Sequence, residues 1–217
     1  RELVRSLAVG EDGAIWVGGY NSFGTLQRAP DGEWSYRELS SEFLRPGEVP
    51  RFADVWSVLP AANGTYFRAL RDVFFLSSDG KQRQRWRHEQ RFGGIAQLQG
   101  EVILQFRDEG FRVRRADAWE PLPHTAPLKQ LVHTLVPMDE GRLLALGSDG
   151  RWWGLGLDAL REVPMPEGLP PSSEFQKATR LRDGHLVFAS GEGQLWLLAP
   201  DRSGYVALRL EQGFLSG

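Results

Sequence analysis

A unit of roughly forty residues recurs five times along this 217-residue chain, each copy built around a glycine turn between two strand-like runs. The turns are Asp12-Gly13, Asn63-Gly64, Gln99-Gly100, Glu140-Gly141 and Asp183-Gly184, so successive glycines lie 51, 36, 41 and 43 residues apart. The mean spacing of about 43 falls in the blade-sized period of radial β repeats. A repeat of this kind constrains the fold before any single residue is interpreted, because each unit buries its apolar face only against its neighbours.

Each unit reads as four short strands. The first copy predicts strands at 4–9, 14–18, 23–28 and 34–39, with Asp12-Gly13 joining the first two, since glycine reaches positive φ without steric cost. The second copy predicts 53–59, 65–69, 73–77 and 84–88, and the third 94–98, 101–106, 111–115 and 119–122. The fourth predicts 131–136, 142–146, 151–156 and 160–164, and the fifth 178–182, 185–189, 194–199 and 205–210. Second strands such as Val102-Ile103-Leu104 and Leu143-Leu144-Ala145-Leu146 are apolar on both faces, as expected of strands packed between neighbouring blades. No stretch keeps helical periodicity for three turns. The fold class is therefore all-β: a β-propeller, or a segment of one, with about five four-stranded antiparallel blades at 1–50, 51–90, 91–127, 128–172 and 173–217 in one domain.

Tryptophan follows the same register. Trp34, Trp86 and Trp119 fall on fourth strands, Trp16 on a second, and Trp153 and Trp196 on third strands. These rings read as packing between blades. Trp152 points to the opposite face from Trp153 and is a candidate for a ligand platform.

Composition excludes several function classes. Hydrophobic residues make up 41% and charged residues 25% of the chain, the balance of a folded protein. The net charge of −2 gives no polycationic face for nucleic acid or an anionic membrane. With no cysteine there is no disulfide, thiolate nucleophile or thiolate metal site. No apolar run approaches the ~18 residues of a membrane span, so no membrane contact is expected of this segment. Since the chain starts at Arg1, any targeting peptide is expected to have been removed or to lie upstream.

The run Val4-Arg5-Ser6-Leu7-Ala8-Val9-Gly10-Glu11-Asp12-Gly13-Ala14-Ile15-Trp16-Val17-Gly18-Gly19 resembles the two-component regulator propeller repeat, approximately V-x-S-(I/L)-x-x-D-x-x-G-x-(I/L)-W-(I/V)-G-(T/G). Its continuation through Tyr20-Asn21-Ser22-Phe23-Gly24-Thr25-Leu26 is similar to the G-G-x-N-x-F-G-x-L run near the start of such propellers. Phe52-Ala53-Asp54-Val55-Trp56-Ser57-Val58 with Tyr66-Phe67-Arg68 is similar to the second blade of those proteins. The tail Gly213-Phe214-Leu215-Ser216-Gly217 looks like the lead-in to a further first strand. The likeness covers residues 1–80; copies three to five keep the glycine turn and lose the tryptophan after it. It implies an extracytoplasmic, periplasmic sensor of a bacterial signalling chain, followed by a three-tyrosine domain, a membrane helix and a kinase, cyclase or DNA-binding output. It also implies further blades or domains in the same polypeptide and allows a homodimer of the full-length protein. A five-blade piece of a larger ring, which we expect here, would expose apolar blade faces at both ends.

The residues that could carry chemistry are scattered. His88, His124, His133 and His185 fall in four different copies with no His-x-His or His-x₃-His pair, so they read as ordinary strand or surface histidines and no metal or other cofactor is expected. No Gly-x-Ser-x-Gly elbow, Walker loop or dinucleotide fingerprint is present, and Asn63-Gly64-Thr65 is explained as a hairpin turn without a glycan. Streptogramin-lyase-like propellers need His and Glu converging at the ring centre with a divalent metal, and no motif here places them. No catalytic residue is assigned.

In a propeller, the loops after second strands and those leading into first strands open on one face. The former carry Asn21, Arg71, Asp108, Asp149 and Glu192; the latter carry Arg51, Arg91, Lys129 and Lys177. With Tyr20, Trp56 and Trp152 for stacking, this rim could bind an extracellular oligosaccharide or another small polar ligand. The plainer reading is that the acids are turn residues and the charges pair across solvent. The sequence thus predicts a non-catalytic ligand-sensing propeller of a signal-transduction protein. The alternatives are a protein–protein interaction scaffold and a metal-dependent lyase-type enzyme.

Overall fold

A computed structural model describes residues 3–138, 141–171 and 174–208. Every described strand belongs to one of five four-stranded antiparallel sheets, and short 3-10 turns lie at Ser40–Phe43 and Pro123–Thr125. The fold is an all-β propeller of five blades. Blade one holds β1 (Val4–Val9), β2 (Ile15–Gly19), β3 (Phe23–Arg28) and β4 (Trp34–Glu38). Blade two holds β5 (Ser57–Ala61), β6 (Gly64–Arg68), β7 (Asp72–Ser77) and β8 (Arg83–Arg87). Blade three holds β9 (Phe92–Leu98), β10 (Glu101–Phe106), β11 (Gly110–Arg115) and β12 (Ala118–Pro121). Blade four holds β13 (Val132–Pro137), β14 (Leu143–Gly147), β15 (Trp152–Leu155) and β16 (Leu160–Val163). Blade five holds β17 (Phe175–Arg180), β18 (Leu186–Ser190), β19 (Leu195–Leu198) and β20 (Tyr205–Leu208). In each sheet the strands lie side by side in chain order. The tail 213–217, expected to lead into another first strand, lies outside the described residues.

The five glycines that anchor the repeat all adopt positive φ, from 65° at Gly141 to 144° at Gly64. At Gly64 the requirement is also steric, since a Cβ would sit 2.2 Å from the Leu76 carbonyl oxygen of the adjacent strand. The apolar second strands β6 and β14 are buried along their whole length, whereas the outer strand β4 is exposed at every residue. Burial on both faces is thus complete for these inner strands, while β9, at the edge of its sheet, reaches it only over Phe92–Ile95.

The first strand of blade two begins later than the sequence predicts, at Ser57 rather than Ala53. Ala53 adopts φ 61°, which breaks the extended backbone, and Asp54 makes only an isolated bridge to Tyr20. In blade five the first strand runs earlier than predicted, over Phe175–Arg180, because Leu181 and Gly184 already form the turn, with the Gly184 N–H donating to the Leu181 carbonyl at 3.0 Å.

The chain divides into two compact units, Arg1–Val102 and Ile103–Gly217. In the first, Phe23, Phe52, Phe67 and Phe74 form an aromatic core between blades one and two. Phe23 stacks on Phe67 with ring centroids 4.2 Å apart, and Trp16 meets Phe67 edge-on at 5.8 Å. In the second unit, Trp152, Phe175, Phe188 and Trp196 join Leu144, Leu146 and Leu198 between blades four and five. Such rings contribute large buried areas and about 0.5–1.5 kcal/mol per pair beyond area alone.

Candidate functional site

Within the first unit, blades one and two meet at the end where their second strands stop. The turn after β2 closes with the Gly19 N–H donating to the Ser22 carbonyl at 2.9 Å. Asn21 sits at its tip with φ 52°, a conformation asparagine tolerates better than most residues. Its amide N–H donates to the Ala53 carbonyl at 2.8 Å, and its Oδ1 accepts the Ala53 N–H at 2.6 Å. Asn21 is thus a clamp that pins the turn of blade one to the segment leading into β5.

The clamp brings Tyr20 opposite Asp54 and, two residues on, leaves Trp56 at the surface. Tyr20 is 59% exposed and Trp56 38%. Arg5 of β1 ties Asp54 to Trp56: its Nε donates to Asp54 Oδ1 at 2.8 Å, and its guanidinium carbon lies 5.6 Å from the Trp56 ring centroid. Beneath them the Ser6 hydroxyl donates to the Val55 carbonyl at 2.7 Å. The ion pair is half-exposed and contributes at most about 1 kcal/mol to stability. Its effect on the site is to hold two charged groups beside the exposed Trp56 ring, a combination that can stack on an apolar ligand face while offering donors and acceptors to its edge. Arg71 is exposed in the turn after β6, whose Ala69 N–H donates to the Asp72 carbonyl at 2.8 Å.

Arg5 and Asp54 escaped the sequence reading. They lie 49 residues apart, with no local spacing to couple them. The one available signal was that both fall inside segments carrying the family likeness.

The rim candidates of the second unit lie in separate turns. Asp108 is exposed, with φ 68°, in the turn after β10. Asp149 is occupied within its own turn: Oδ2 accepts from Arg151 Nε at 2.8 Å and Oδ1 from the Arg151 N–H at 3.2 Å. Glu192 is exposed, and its N–H donates to the Ser190 hydroxyl at 3.2 Å. Trp152 is a correction. It is 1% exposed and stacks on Phe188 with centroids 5.3 Å apart, so it belongs to the core. Its neighbour Trp153, expected to pack, is half-buried, with Arg151 5.3 Å from its ring. The alternation of faces was read correctly, but which face points inward depends on the adjoining blade.

Among the described residues, no three His, Asp or Glu side chains converge as a metal site. His124 Nε2 lies 3.1 Å from the Gly156 carbonyl oxygen, and His185 Nδ1 lies 3.1 Å from Asp183 Oδ2. Bonds from His185, first from its backbone N–H, hold the Asp183 carboxyl below its ordinary value. No described helix is long and apolar enough to cross a membrane.

No family model matches this sequence, and no curated protein matches it either. Among solved structures, selenomethionine-substituted virginiamycin B lyase from Staphylococcus aureus superimposes with a TM-score of 0.64 at 13% identity, over 96% of this chain and 73% of that one. A catalytically inactive histidine-to-alanine variant of the same enzyme with quinupristin gives 0.62 at 13% identity over the same shares. The WD40 β-propeller domain of Doa1 gives 0.60 at 10% identity, over 96% and 83%. At such identities the likeness establishes the β-propeller fold alone.

Proposed function

We propose that this chain is a non-catalytic ligand-recognition propeller from the periplasmic sensor region of a bacterial signal-transduction protein of the two-component regulator propeller type. The observation that carries the reading is two exposed rings at the junction of blades one and two, Trp56 braced by the Arg5–Asp54 pair and Tyr20 on the segment bridged to Asp54. The same residues fall within the stretches that resemble the sensor repeat. The ligand is an extracellular oligosaccharide, whose apolar ring faces suit the aromatic pair and whose hydroxyls suit the charged groups. Binding would signal only through a difference in affinity between two arrangements of the receptor. Calorimetric titration of a panel of neutral and acidic oligosaccharides against wild type and a Tyr20→Ala/Trp56→Ala variant tests this. The expected result is a ligand whose affinity falls at least about tenfold in the variant, or about 1.4 kcal/mol. An unchanged isotherm removes the rim from recognition.

The likeness to virginiamycin B lyase is one of fold, and we propose no such activity for this chain. Incubation with quinupristin and a divalent cation should leave the antibiotic intact; its turnover would overturn the non-catalytic reading.

A second reading, a surface for association with another propeller, is favoured by the apolar residues on blade one. Leu7 is 63% and Val9 68% exposed, and Val9 aligns across the sheet with Ile15, Leu26 and Tyr36. Light scattering should find a homodimer in wild type and a monomer in Leu7→Lys/Val9→Lys. A monomeric wild type refutes self-association.

A further inference from the structure

The ends of blades one and two opposite the rim enclose a second cavity. The glycine hairpin of each blade lies there, and between them opens a cleft of about 690 Å³. That volume is within the range of about 300–1,000 Å³ typical of small-molecule sites. Trp16, which meets Phe67 edge-on, forms part of its wall, and Gln27 supplies an amide from β3. Arg37 of β4 and Arg83 of β8 reach the same cleft from the two blades.

The two guanidinium groups share a single carboxylate. Glu42, in the 3-10 turn after β4, accepts from Arg83 Nε at 2.9 Å through Oε2, and its Oε1 lies 3.5 Å from Arg37 Nη2. Each guanidinium carries five N–H donors in a planar fork suited to carboxylate. Among the described residues, one acid therefore leaves this wall with a surplus positive charge and unfilled donors, held in place by the acid between them. The far lip has the opposite sign: Glu11 and Asp12 lie there, and Asp12 Oδ1 accepts the Ala14 N–H at 3.0 Å.

We infer that this cleft is a binding site, separate from the rim, for a short oligosaccharide carrying one uronic acid at one end. The carboxylate docks on Arg37 and Arg83, a neutral sugar ring lies against Trp16, and hydroxyls of the uncharged end meet Gln27, Glu11 and Asp12. A second carboxylate would face Glu11 and Asp12, so the polarity of the cleft selects a singly charged ligand. Because the arginine wall is partly open to solvent, affinity falls as salt is raised.

The test is calorimetric titration of wild type with aldotriouronic acid, a trisaccharide with a single terminal uronic acid, and with neutral xylotriose. The acid should bind at least about tenfold more tightly than xylotriose, and Arg37→Ala/Arg83→Ala should remove that preference, a difference of about 1.4 kcal/mol. Glu42→Gln, which withdraws the competing carboxylate, should tighten binding of the acid, an effect that a merely structural Glu42 would not produce. Absence of binding by the acid at millimolar concentration, equal affinity for both trisaccharides, or an unchanged double variant each overturns the inference. Trp56→Ala reports on the rim alone: it should leave binding of aldotriouronic acid unchanged, and loss of that binding would place the acid at the rim and overturn the cleft without touching the rim proposal.

Discussion

Replacing Arg68 by methionine should stabilise the protein. Arg68 ends β6 and pairs across the ladder with Ser57 of β5. It is 8% exposed; Nη2 donates to the Ser57 hydroxyl at 2.8 Å, and Nε has no hydrogen-bond partner among the described residues. Burial alone pushes its pKa down to about 10. That is roughly two and a half pH units below an ordinary guanidinium, and at about 1.4 kcal/mol per unit the buried charge costs on the order of 3 kcal/mol. Methionine keeps the apolar stem and removes the charge. The lost bond to Ser57 returns about 1–2 kcal/mol, so Arg68→Met should gain about 1–2 kcal/mol net. At this chain length that raises Tm by roughly 2–8 °C.

The assay is urea unfolding followed by tryptophan fluorescence at pH 7 and again above pH 10. Above about pH 10 the folded state sheds the Arg68 proton while the unfolded state keeps it, so the wild type gains stability as pH rises and the gap to Arg68→Met narrows. A destabilisation of more than about 1 kcal/mol, or a gap that does not narrow in alkali, would refute the argument by showing that Arg68 is held by an acceptor.

Three further outcomes follow from buried groups and turns. Gln105 is fully buried, with Nε2 donating to the Leu128 and Gln130 carbonyls and Oε1 accepting the Val132 N–H, so Gln105→Leu strands three backbone groups and should cost about 3 kcal/mol or more in denaturant titrations. Gly64→Ala places a Cβ 2.2 Å from the Leu76 carbonyl oxygen, whereas Gly13→Ala meets nothing within 4 Å. The first should therefore lose at least about 2 kcal/mol and the second only about 1 kcal/mol in the same assay. The Asp79, Asp183 and Asp201 carboxyls are held below their ordinary values, Asp79 first by the Ser77 hydroxyl and the others by backbone N–H bonds in their turns. Their contribution is present above the ordinary carboxylate range and lost as pH falls through the lowered values, so Tm measured from pH 6 to pH 3 should drop less in the triple Asp→Ala variant.

The candidate site was partly legible. Tyr20 and Asn21 were singled out by their place in the loop after a second strand and Trp56 as a stacking ring, and the structure joins the Tyr20–Asn21 turn to the segment that leads to Trp56. Asp108, Asp149 and Glu192 lie in three separate turns, and Asp149 and Glu192 bond within theirs. No local spacing marked Arg5 with Asp54 or Arg83 with Glu42 as partners, since each pair lies more than forty residues apart along the chain.

The period of the glycine turns and the alternation of apolar residues determined the five four-stranded sheets, because hairpin geometry and strand burial are short-range and repeat with the sequence. The tertiary structure alone decided which face of a strand points inward, as Trp152 and Trp153 show, and which charges meet across blades. Those choices depend on side chains contributed by another sheet, and no local pattern in a single strand contains that information.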